Sequence, residues 1–156
     1  MPNLAVMTTA GHVYMEQQTT EAVWDGLFQE LGSRLYRQTL MPDHNAIWKS
    51  LWFAFVLHQD NGDLMSLYMR YNPSNDSFLI TDYEGSHIIN INIESLNNSN
   101  QTAIAGKIFP DGNYNSIQSI TNAWSNGITF GQLCSFLFHN HACPGVQPGF
   151  FMSDYI

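Results

Sequence analysis

Residues 51–71 read LWFAFVLHQDNGDLMSLYMRY. Two apolar, aromatic-rich runs, Leu51 to His58 and Leu64 to Tyr71, flank Asp60-Asn61-Gly62-Asp63. Each run has strand length, and aromatic and β-branched side chains suit a pleated, half-buried surface. Asn61-Gly62 supplies the positive φ angles of a type I′ turn. The stretch therefore predicts a β-hairpin, and the remaining elements are placed around it.

Upstream, Leu4 to Met7 and His12 to Met15 read as short strands, or one bent strand, around Thr8-Thr9-Ala10-Gly11. Thr19 or Thr20 offers an N-cap, with Glu21 in the first turn. Val23, Leu27, Leu31 and Leu35 recur at spacing four, with Trp24 and Phe28 beside them. That is one apolar helix face, and Gly32 is a natural stop, so a helix is predicted over about 20–31. Arg34 to Met41 reads as a strand and Pro42 to Ala46 as a loop.

Downstream of the hairpin, Asn72 to Asp76 is a turn cluster and Phe78 to Tyr83 a further strand. Ile88, Ile89, Ile91 and Ile93 fit an edge strand or a helix, and Leu96 to Gln101 is polar enough for a surface loop or helix end. Two helices are predicted at Ser116 to Ser125, with Ile117, Ile120 and Trp124 on one face, and at Thr129 to Phe138, capped by Thr129. Gly145 to Ile156 reads as the start of another helix, apolar at Val146, Phe150 and Met152 or Ser153. The chain stops inside it without a cap, which suggests the N-terminal part of a longer protein, or a helix completed by a partner. The pattern is a single α+β domain over 1–156, with a mainly antiparallel sheet and helices before and after the hairpin.

Composition narrows the function. With 44% hydrophobic and 13% aromatic residues the chain is a folded globule. Charged residues are only 12% and the net charge is -8. The five basic residues, Arg34, Arg37, Lys49, Arg70 and Lys107, form no cluster in sequence, so nothing is available to displace counterions from nucleic acid. No apolar run approaches the ~20 residues of a membrane span, and Met1 to Thr9 lacks the regions of a signal peptide. Location stays open between cytoplasm and export after leader removal. Asn-x-Ser/Thr patterns at Asn75, Asn97 and Asn100 arise readily in an Asn-rich chain and do not settle it.

The chemistry concentrates at Phe138-His139-Asn140-His141-Ala142-Cys143-Pro144-Gly145. His139, His141 and Cys143 lie at i, i+2 and i+4, and on an extended segment they point to one side. Pro144 favours extension at Cys143, and Gly145 permits a tight turn into the next helix. The N-terminus of that helix would favour a thiolate. Imidazole and thiolate together suit zinc or another borderline transition metal. Three ligands leave a fourth position for water, a substrate, Cys134 or a remote histidine. A lone loop histidine is usually packing, but three ligand candidates within five residues are not ordinary. A reactive thiol without metal is the competing chemistry, and a purely structural loop is the other alternative. Asp43, His44 and His12 are the nominated acid–base or neighbouring groups, and His58 and His87 carry no signal. Trp48, Trp52, Phe53 and Phe55 read as core. There is no Gly-rich phosphate loop and no G-x-S-x-G.

These same residues, followed by Gly149-Phe150, resemble the F-H-G-H-x-C-P-G…G-[FY] signature of the formylmethanofuran dehydrogenase E-subunit-like proteins, with Asn140 where the family usually has glycine. Thr19-Thr20-Glu21-Ala22, Leu51-Trp52-Phe53-Ala54-Phe55 and Ile120-Thr121-Asn122-Ala123-Trp124 are similar to its longer, methanogen-type archaeal members. The resemblance implies an α+β domain whose His and Cys residues hold a metal, zinc foremost. It also implies a signature near the start of its domain, with more chain following. The residues thus lead to a metal-binding accessory or ligand-binding domain. The alternatives are a metal- or thiol-dependent enzyme using Cys143 and His141, and an interaction module working as a homo-oligomer or with a partner subunit.

Overall fold

The computed structural model describes residues 3–36, 38–80, 88–92 and 113–148. Strands β1 (Leu4–Thr8), β2 (Tyr14–Met15) and β3 (Gln18–Thr19) precede helix α1 (Ala22–Leu31), which runs into a 3-10 turn at Gly32–Arg34. Then come β4 (Leu40–Pro42), β5 (Trp52–His58), β6 (Leu64–Asn72), β7 (Ser77–Ile80) and β8 (Ile88–Asn90), followed by α2 (Asn113–Ser125) and α3 (Phe130–His139). Among the described residues the main sheet has six strands, in the order β4-β1-β5-β6-β7 with β8 also paired to β6. All its pairings are antiparallel except β1 with β4, which run parallel. A parallel pair needs a crossover connection, and α1 lies within it. The expected α+β class with a mainly antiparallel sheet is what the chain adopts.

The hairpin is the centre of the sheet. β5 and β6 pair in continuous register from Trp52↔Arg70 to His58↔Leu64. Leu51, Phe53 and Phe55 pack into one cluster with Val23, Trp24 and Leu27 of α1. Trp52, Ala54 and Val56 point the other way, into a cluster with Tyr68, Ile117, Ile120, Trp124, Leu133 and Phe136. Helices thus cover both faces, and a strand buried on both faces reads as an unbroken apolar run rather than an alternation. That is why Leu51 to Leu57 carries no polar residue. Of the four aromatic residues expected in the core, Trp48 departs from that role and is 80% exposed.

The turns differ from expectation. Asn61 does not have positive φ; Gly62 alone does, at 92°. Gly62 N–H donates to the Gln59 carbonyl at 3.0 Å and Gln59 N–H to the Asp63 carbonyl at 2.9 Å. This is a three-residue loop with glycine in the left-handed third place rather than a type I′ turn. Asn61 instead uses its side chain, accepting from Asp63 N–H at 3.0 Å. The type I′ signature lies at Glu16-Gln17, where both residues have positive φ (48° and 65°) between the pairs Tyr14↔Thr19 and Met15↔Gln18. No glycine marks it, so the sequence carries no signal for it.

Helix α1 begins at Ala22 after Glu21, without a side-chain cap. The Thr20 hydroxyl, an expected cap, is used elsewhere: it accepts from Gly11 N–H at 2.9 Å and donates to the Val13 carbonyl at 2.7 Å. Leu35 falls outside the helix, in extended backbone, yet joins the same cluster. The strand expected from Arg34 shrinks to Leu40–Pro42, because Arg34 ends the 3-10 turn and the chain turns again after Tyr36, whose carbonyl accepts from Thr39 and Leu40 N–H at 2.9 and 3.0 Å. The predicted helices nearest the site are both present. Thr129 caps α3 with a reciprocal bond from Gln132, a capping box. Residues 146–148 are helical, and Val146 packs on the chain's own core. The rest of the expected terminal helix, with Phe150, Met152 and Ser153, and the predicted pieces at 81–83, Ile93 and 96–101, lie outside the described residues.

Two glycines give opposed expectations. Gly11 has φ 86°, and a Cβ there would sit 2.6 Å from Trp24 Cζ2. Gly26 lies inside α1 over an apolar cavity of about 450 Å3, with nothing within 4 Å of an added Cβ. Gly11→Ala should lower stability by about 2–4 kcal/mol through backbone strain and displacement of the indole. Gly26→Ala should raise it by about 0.5–1 kcal/mol. Urea unfolding midpoints of the two variants measure both, and equal midpoints would contradict the assignment of these positions.

Candidate metal centre

The C-terminal ends of the parallel strands and of α3 meet at one place. His12 follows β1, and Asp43 and His44 follow β4. Asp43 N–H donates to the Thr8 carbonyl at 2.7 Å, holding the two strand ends together. His44 N–H donates to the Leu137 carbonyl at 3.2 Å, so the loop after β4 satisfies a carbonyl in the last turn of α3.

Helix α3 runs through His139 and stops at Asn140, whose φ of 68° is the left-handed C-cap conformation. The expected extended segment is therefore not how the three side chains converge. His139 belongs to the helix, Asn140 reverses the chain, and His141 and Cys143 come back over the helix end. The result still brings all three together: one ligand atom from each of His139, His141 and Cys143 lies within 4.8 Å of the others. The two imidazole rings are 4.5 Å apart between centroids. Both histidines are exposed and Cys143 is half-buried. Among the described residues no fourth ligand joins the group, and Cys134 is exposed on α3 outside it. A metal ion can be held by these three residues. The helix end adds to this, since its unsatisfied carbonyls carry partial negative charge.

Pro144-Gly145 forms a turn in which Val146 N–H donates to the Cys143 carbonyl at 3.2 Å. Gly145 is not left-handed, and a Cβ on it would make ordinary contact with Cys143 Sγ at 3.6 Å. Its expected conformational role is thus not needed. The nominated neighbours divide into two groups. His12 and His44 meet edge to face at 5.1 Å, and His44 lies 5.0 Å from the ring of exposed Phe138. Burial lowers the His12 pKa, and the neighbouring His44 adds to the effect. Asp43 is fully buried. Asn45 Nδ2 donates to its Oδ2 at 2.6 Å. With the Asn140 amide nitrogen facing inward, it donates to both Asp43 oxygens at 2.8 Å and to Ser116 Oγ at 3.1 Å. Burial pushes the Asp43 carboxyl up to about 8, against the lowering effect of the Asn45 hydrogen bond. The Asn140 amide also favours the charged form and opposes burial.

Sequence reasoning missed Asn140, Ser116 and Ser119 as parts of this centre. Ser119 Oγ accepts from Ala142 N–H at 3.0 Å. The available signal was slight: an Asn ending a helical pattern, and two serines at i, i+3 on the preceding helix. His58 ends β5 away from the group, and His87 lies outside the described residues. Comparisons of the chain with family models, with curated proteins and with solved structures find no match. No helix among the described residues is long and apolar enough to cross a membrane.

Asp43 generates a pH prediction. An acid whose folded pKa lies above its ordinary 3.8 keeps its proton in the folded state while the unfolded chain has lost it. The contribution of Asp43 to stability is then greatest below that ordinary value and falls as pH rises from there toward the raised folded value, by up to about 1.4 kcal/mol per pH unit. Asp43→Asn removes this titration. The stability of the variant relative to wild type should therefore rise across that window in urea melts. Parallel pH profiles for the two proteins would show that Asp43 is ionised throughout.

Proposed function

We propose that this chain is a metal-binding domain of the formylmethanofuran dehydrogenase E-subunit-like kind. Zinc is its ion, held by His139, His141 and Cys143. The convergence of two imidazoles and one thiol to within 4.8 Å carries the reading. Tetrahedral zinc bound at about 2.0–2.3 Å separates its ligand atoms by roughly 3.3–3.8 Å. The two imidazoles, which would turn to close that difference, are both exposed. The donor set, two borderline nitrogens and one soft sulfur, favours zinc over magnesium or calcium. Two exposed ligands also leave the fourth position facing solvent, which suits an accessory or ligand-binding role in which a small molecule or a partner subunit completes the coordination. Water in that place would allow metal-assisted hydrolysis or carbonyl polarisation. Cys143 beside His141 also supports a second reading, an imidazole-assisted thiol nucleophile.

Elemental analysis of protein purified without added metal tests the first reading. About one zinc per chain is expected, falling below about 0.2 in Cys143→Ala and in His141→Ala, because loss of one of three ligands removes most of the affinity. Wild-type protein with no more metal than the variants would overturn it. Alkylation separates the second reading: bound metal should shield Cys143 from iodoacetamide, and chelation should expose it.

A further inference from the structure

In the loop 139–143 the ligand candidates alternate with residues that are tied to the protein. His139, His141 and Cys143 present their side chains to one another. Between them, Asn140 reaches inward to both oxygens of Asp43 at 2.8 Å and to Ser116 Oγ at 3.1 Å. Ala142 N–H is held by Ser119 Oγ at 3.0 Å. The inward contacts end on rigid parts of the fold: α2 carries both serines, and Asp43 is anchored through its own N–H to Thr8 of β1. Asp43 is also a costly group to place there. A fully buried carboxyl persists only where hydrogen bonds or a cation compensate it; among the described residues no cation pairs with Asp43, and its side-chain donors are the amides of Asn45 and Asn140.

We propose that Asp43 and Asn140 form a positioning clasp that orders the ligand loop before the metal arrives. The proposal rests on the metal reading above. Asn140 has two tasks in it. Its left-handed backbone turns the chain so that His141 comes back over His139, and its amide locks that reversal to the core through Asp43. A loop ordered in advance spends less of the binding free energy on its own ordering. Groups that hold ligands in place from behind typically change metal affinity by about 10–100-fold when removed. Neither residue touches the metal, so both are positioning residues.

Cobalt(II) is the probe, since its visible spectrum reports both affinity and coordination geometry. Titrations compare the wild type with Asn140→Gly, which accepts the left-handed backbone but has no amide, and with Asp43→Asn, which retains an acceptor for Asn140. Asn140→Gly should bind cobalt about 10–100-fold more weakly with an altered ligand-field spectrum. Asp43→Asn should recover most of the affinity. Metal-free thermal unfolding of each variant separates positioning from folding, because the clasp predicts affinity losses larger than any change in metal-free stability explains. Wild-type protein that binds no cobalt would overturn the metal reading and the clasp together. Wild type that binds, with Asn140→Gly equal in affinity and spectrum, would overturn the clasp alone. So would losses that merely track metal-free stability.

Discussion

The two central strands must be covered on both faces. Trp52, Ala54 and Val56 project from one side of β5 and Phe53 and Phe55 from the other. Either face left to water would expose a contiguous apolar surface, which soluble chains rarely tolerate. Covering them takes helices from both ends of the sequence: α1 on one face, α2 and α3 on the other. That requirement carries the N-terminal loop with His12 and the C-terminal loop 139–143 to the same end of the sheet, beyond the ends of β1 and β4. The candidate centre is thus a by-product of how the hairpin is buried.

Its electrostatics suit a cation. The last turn of α3 directs carbonyls toward the loop, and one of them is already satisfied by His44 N–H. His139 and His141 are exposed, while the Asp43–Asn140–Ser116 contacts beneath them are buried or half-buried. The layer beneath is therefore rigid and the layer above is accessible. That is the division of labour expected where a site must keep its shape and still admit a ligand. Aromatic Phe138, 73% exposed beside His44, adds apolar surface next to the opening.

Periodicity was a good guide wherever one element buried one face. Ile117, Ile120 and Trp124 of α2 and Leu133 and Leu137 of α3 are all buried, as their spacing requires. The capping box at Thr129 was legible because its two partners are three residues apart. Signals failed where a polar side chain had a better partner at a distance. Thr20 left the helix cap to bind the Gly11–Val13 loop, and Asn61 turned its amide to Asp63 instead of entering a left-handed turn. The true type I′ turn at Glu16-Gln17 had no composition to betray it.

The chain's own residues determined the hairpin, the helices, the class of fold and the grouping of His139, His141 and Cys143. These follow from local periodicity and side-chain chemistry, which are written in neighbouring positions. Tertiary structure alone decided that the sheet is covered on both faces, that β1 and β4 run parallel, and that the three candidate side chains converge through a helix end and a left-handed Asn140 rather than along an extended strand. It alone placed Asp43 behind that asparagine, 97 residues away in the chain by the numbering 140 − 43. Such contacts depend on which surfaces must be removed from water, and a burial constraint shared among distant segments leaves no pattern in any one of them.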